Sequence, residues 1–66
     1  MVIYKHKLEL YLAARMETLA EFSERSGVSL NTLHRAMRGD DVSFLTVGRI
    51  AQGLNVPPCE ITKEVA

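Results

Sequence analysis

The chain has 66 residues, of which 47% are hydrophobic and 24% charged, and eight Lys and Arg balance eight Asp and Glu for a formal net charge of zero. This is the make-up of one small globular domain, not of a disordered chain, and it must be held by apolar packing, because Cys59 is alone and His6 and His34 lack any familiar metal-ligand spacing. No run approaches the ~20 apolar residues of a membrane span, and Lys5, His6 and Lys7 cut off any secretory apolar region after Val2-Ile3-Tyr4, so a reducing, cytoplasmic location is expected.

The first predicted helix covers about residues 5–15. Leu8, Leu12 and Met16 recur every fourth residue, and Tyr4, Leu8 and Tyr11 form a neighbouring row. A strand competes there, since Leu8, Leu10 and Leu12 also alternate with polar neighbours and Val2-Ile3-Tyr4 favours extended backbone. Ala13-Ala14-Arg15 favours the helix. Thr18 followed by Glu21 is a capping box, so a second helix starts at Leu19 and runs to Ser26, where Gly27 ends it. Ser29 caps a third, residues 30–38, with Leu33 and Met37 on one face and Asn31, Thr32, Arg35 and Arg38 off it, closed by Gly39.

Ser43 caps a fourth helix over residues 44–54, whose Phe44, Val47, Ile50, Ala51 and Leu54 keep helical spacing. Pro57-Pro58 suits the first turn of a fifth, residues 58–64, with Ile61 and Val65 turned inward. The expected fold is all-α, a compact five-helix bundle in a single domain.

Two short helices joined by Ser26-Gly27-Val28, the second polar and basic on its outer face, are what helix-turn-helix recognition of DNA requires mechanically. Phe22, Val28 and Leu33 would fix the angle between them. A net charge of zero counts against a nucleic-acid binder until the charges are placed. The stretch from Ser29 to Gly39 holds His34, Arg35 and Arg38 with no carboxylate, while Glu17, Glu21, Glu24, Asp40 and Asp41 flank it. Attraction to phosphate must then be local, and non-specific affinity modest.

Thr18, Phe22-Ser23, Gly27-Val28-Ser29, Thr32-Leu33, Gly39, Ile50-Ala51, Leu54, Val56 and Ile61 together resemble the lambda-repressor and Cro-like helix-turn-helix proteins, the Xre family. The resemblance covers about Thr18 to Ile61 and fits the segment before Thr18 loosely. Three positions depart from it: Leu19 stands where a glutamine is usual, Met37 where a glutamate pairs with an arginine of the first helix, and Val42 where a proline precedes the fourth. Arg15 would therefore lack its partner, with an apolar contact in its place.

The resemblance implies a Cro/repressor-like regulator that binds double-stranded DNA sequence-specifically, with the third helix in the major groove. Leu30, Asn31, Thr32 and Arg35 would then meet base edges, with Asn31 suited to adenine, Arg35 to guanine and Leu30 to a thymine methyl. Thr18, Ser29, Arg38, Ser43 and Thr46 would meet phosphates, together with backbone N–H groups at the starts of the second and fourth helices, with Arg49 a further candidate. It also implies a homodimer on a palindromic operator. The interface would use the fifth helix and neighbouring apolar surface, including Leu45, Ile61 and Val65, or Val2-Ile3-Tyr4 paired as a strand across the two-fold axis.

Neither cofactor, metal nor small-molecule ligand is expected, and two histidines with one cysteine assemble no catalytic set. His34 reads as a surface or phosphate-edge residue and Cys59 as a small apolar residue of the fifth helix. The alternative is a helix-turn-helix fold used as a protein-interaction module, an antirepressor or antitoxin-like partner, which the neutral charge and acidic flanks favour.

Overall fold

Three of the four α-helices in the computed structural model, which describes residues 1–63, begin at a hydroxyl that accepts a hydrogen bond from the backbone N–H three residues on. Thr18 starts α2 (Leu19–Ser26) with a complete capping box, the Glu21 carboxylate accepting from the Thr18 N–H. Ser29 starts α3 (Leu30–Met37) and Ser43 starts α4 (Phe44–Leu54). Each cap satisfies an N–H that the helix itself leaves free. The first helix, α1 (Lys5–Arg15), follows Tyr4 without a side-chain cap and closes on Met16 in the left-handed conformation, φ 52°.

The expected fifth helix is a single 3-10 turn, Pro58–Glu60, carried by Glu60 N–H to Pro57 O and Ile61 N–H to Pro58 O. The backbone after it serves the N-terminal segment instead. Tyr4 N–H donates to Ile61 O at 2.6 Å and Lys63 N–H to Val2 O at 2.9 Å, an antiparallel bridge between Ile3 and Thr62. On the other side Val42 N–H donates to Met1 O and the Met1 ammonium to Val42 O, bridging Val2 to Asp41. Both edges of residues 1–4 are thus used within the chain, which removes the strand pairing across a two-fold axis as a dimer contact. Val65 lies outside the described residues.

The core draws on all four α-helices and the segments between them: Ile3, then Leu8 and Leu12 of α1, Phe22, Val28, Leu33 and Ala36, Val42, then Val47, Ile50, Ala51 and Leu54 of α4, and Ile61. Three residues of the predicted apolar rows are outside it, and Tyr4, just before α1, is one of them. Met16 is 92% exposed because α1 has already ended, so the 3.6-residue period no longer aims it inward. Phe44 is 71% exposed, and the buried stripe of α4 starts one turn later at Val47. Leu10 also faces out, as the helical reading of α1 requires and the strand reading does not. Against α2, α4 approaches closely at Gly53, where an added Cβ would stand 2.9 Å from Phe22 Cε1.

Candidate nucleic-acid interface

The turn between α2 and α3 is fixed by short-range bonds. Gly27 takes φ 78° and returns its N–H to Ser23 O at 3.1 Å, while the Ser23 hydroxyl donates to Val28 O at 2.7 Å. Val28 is buried beside Phe22 and Leu33, so the turn is anchored on both sides in the core. That anchoring sets the orientation of α3. Its Leu33 and Ala36 are fully buried, which turns Leu30, Asn31, His34 and Arg35 outward on the opposite face. Arg38, at the C-cap position, continues this exposed face past the helix end at Met37.

Of the four residues expected at base edges, Leu30, Asn31 and Arg35 are exposed and Thr32 is half-buried, its hydroxyl accepting from the Ser29 hydroxyl at 2.7 Å. Of the residues expected at phosphates, Arg38 lies at the end of α3 and the four hydroxyl residues lie at helix starts. Thr18 caps α2, Ser29 caps α3, and at α4 the Ser43 oxygen accepts from the Thr46 N–H at 3.2 Å with the two hydroxyls 3.0 Å apart. Thr18 accepts from Glu21 N–H and so keeps its own O–H available to a phosphate oxygen. Helix starts carry free N–H groups and the positive end of the helix dipole.

The acidic flank is closer to this face than sequence separation suggests. Gly39, at φ 92°, folds the chain back so that Arg38 donates to Asp40 Oδ2 at 2.8 Å, and Arg35 Nε lies 3.8 Å from the same oxygen. The hydrogen bond from Arg38 holds the Asp40 carboxyl below its ordinary value, and the charges of Arg38 and Arg35 add to this against partial desolvation. The two arginines of the outer face therefore share one carboxylate. Asp40 was visible in the sequence as a flanking charge, and its two partners follow only from the glycine turn.

A second charged cluster lies at the α1–α2 junction. Arg25 grips the Glu17 carboxylate with two hydrogen bonds of 2.7 and 2.8 Å, donates a third to Gly53 O at 2.7 Å, and stands 5.2 Å from the Phe22 ring centroid. The Arg25 bond is the first cause that lowers the Glu17 carboxyl from its ordinary value. Arg15 Nε is 3.8 Å from the same carboxylate, so it has a partner after all, supplied by Glu17 rather than from α3. Met37 packs against the core where the glutamate would have stood, and Leu19 does so at the start of α2. Ile61 is fully buried and offers nothing to a dimer interface, whereas Leu45 is 63% exposed.

The helix-turn-helix family model HTH_3 matches residues 8–61, most of the chain. The chain belongs to this helix-turn-helix family. The match begins at Leu8, so most of α1 lies within the family's domain although its resemblance in sequence is loose. Two solved structures are similar over the whole chain at 24% identity. One is a tyrosine-to-phenylalanine variant of hydroxyethylphosphonate dioxygenase, with a TM-score of 0.83, and the other is Phpd with cadmium and a phosphonate, with a TM-score of 0.81. The chain spans 14% of the length of each, and the likeness is one of fold. None of the curated proteins compared matches it. Within this helix-turn-helix domain α2 and α3 are the paired helices, and no helix among the described residues is long and apolar enough to cross a membrane.

Proposed function

We propose that this helix-turn-helix protein binds double-stranded DNA sequence-specifically, with α3 in the major groove, as a cytoplasmic Cro/repressor-like transcriptional regulator. The observation that carries the reading is the outer face of α3: Leu30, Asn31 and Arg35 are exposed while Leu33 and Ala36 on the opposite face are buried in the core. A rigid helix that presents side chains of adenine- and guanine-matching geometry is suited to base readout. Asn31 and Arg35 supply the polar base contacts, Leu30 a methyl contact and Thr32 a hydroxyl. Thr18, Ser29, Ser43 and Thr46 at the helix starts, with Arg38, supply the phosphate grip. One such unit covers too few base pairs to select a site, so the protein acts as a homodimer on a palindrome, with Leu45 at or near the interface.

Two substitutions separate the roles. Arg35→Ala loses sequence preference, by ~1–3 kcal/mol at the base pair that it reads, and Arg38→Ala weakens specific and random duplexes alike. Competition gel shifts with both duplexes measure the difference, and equal losses on both duplexes in both variants contradict the assignment.

A second reading is a protein-interaction module of the antirepressor or antitoxin-like kind. It draws on the zero net charge and on the pairing of both outer-face arginines with Asp40. The absence of binding to any duplex at low salt would favour it.

A further inference from the structure

We infer that Asp40 is an internal counterion of the reading helix, whose carboxylate competes with a DNA phosphate for Arg38. The inference rests on the DNA-binding reading of α3. Its geometry is the single carboxylate oxygen that accepts from Arg38 at 2.8 Å and stands 3.8 Å from Arg35 Nε. The contact is built into the backbone, since Asp40 N–H is bonded to Arg35 O at 3.1 Å and Gly39 takes the left-handed turn that brings the carboxylate back over the helix end. All three side chains are exposed, so a phosphate can approach and exchange with the carboxylate.

The consequence concerns ions. A phosphate that meets a free arginine releases condensed cations from the DNA, which makes affinity fall steeply as salt rises. A phosphate that meets Arg38 instead competes with a carboxylate that cannot diffuse away. One positive charge of the outer face is then spent on Asp40, and the protein gains less affinity, with less salt dependence, than Arg35 and Arg38 would give together. Asp40 thereby sets the level of sequence-independent DNA binding.

The test compares wild type, Asp40→Asn and Glu9→Gln, an exposed position of α1 where the same change of net charge is made at a carboxylate that pairs with neither arginine. Affinity for a random duplex is measured across a salt series, and retention on a heparin column is measured in parallel as a DNA-independent probe of arginine availability. Asp40→Asn is expected to bind the random duplex more tightly, with a slope of log K against log salt steeper by about 0.9, one further phosphate neutralised. Its advantage over wild type then grows about threefold as salt is lowered from ~200 to ~50 mM. Glu9→Gln is expected to stay near the wild-type slope.

Equal slopes for Asp40→Asn and wild type, or equal effects of the two substitutions, overturn the proposal. If no duplex is bound by any of the three, the DNA-binding reading fails. Later elution of Asp40→Asn from heparin than of Glu9→Gln would then still support the carboxylate as the arginines' counterion. Equal elution would reject that too.

Discussion

At Gly48 and Gly53, two glycines of one helix face opposite constraints. A Cβ at Gly48 would meet no atom within 4 Å, while one at Gly53 would meet Phe22 Cε1 at 2.9 Å and Ser26 Cβ at 3.3 Å. Gly48→Ala should stabilise the domain by about 0.5–1 kcal/mol, the ordinary advantage of alanine over glycine in a helix. Gly53→Val should destabilise it by about 1–3 kcal/mol, because the buried Phe22 ring must move to admit the side chain. Urea unfolding of both variants measures the pair, and a loss at Gly48 or a gain at Gly53 would show that α4 packs on α2 differently. Neither fate is legible from sequence, where both are glycines inside a helical pattern. The same holds for Arg25, whose ties to Glu17 and Gly53 join residues 8 and 28 positions apart. Asn31 and Arg35 were legible as outward residues because Leu33 and its period fix the opposite face.

The elements themselves were legible wherever chemistry marks a boundary locally. Thr18, Ser29 and Ser43 announce helix starts because a short hydroxyl side chain can reach an N–H three residues on, and Gly27 announces a stop because it enters the left-handed region without strain. Thr18→Ala removes the cap of α2, a helix of eight residues, and should cost about 1 kcal/mol of stability by chemical denaturation. No measurable loss would mean that the packing of Phe22 alone holds the helix. What misled were patterns without such a marker. Pro57-Pro58 permits a helical start but does not require more than one turn, and the bridge between Ile3 and Thr62 ties the backbone after that turn to the N-terminal segment. Met16 and Phe44 kept the apolar period at helix ends, where no neighbour remains to cover them.

For the molecule as a whole, neutral charge conceals two local arrangements, a carboxylate clamped by Arg25 and another by Arg38. Glu17 and Asp40 both ionise more readily in the folded chain than in the unfolded one. Their contribution to stability is therefore complete above the ordinary carboxylate range and is lost as the pH falls through their depressed folded values. The thermal midpoint of wild type should exceed that of Glu17→Gln near neutrality, and the gap should close on acidification. A gap that persists unchanged to pH 3 would locate the effect of the substitution elsewhere. Composition alone argued weakly against nucleic acid; the placement of Arg35 and Arg38 on one exposed face favours it, and the Asp40 carboxylate that they share works against it. The claim that α3 reads DNA is tested most directly by selecting bound duplexes from a random pool at low salt, with wild type and Arg35→Ala in parallel. Wild type should enrich a palindrome with half-sites about one helical turn apart, and Arg35→Ala should relax it at one position in each half-site. Enrichment of no sequence by the wild-type protein would contradict the account.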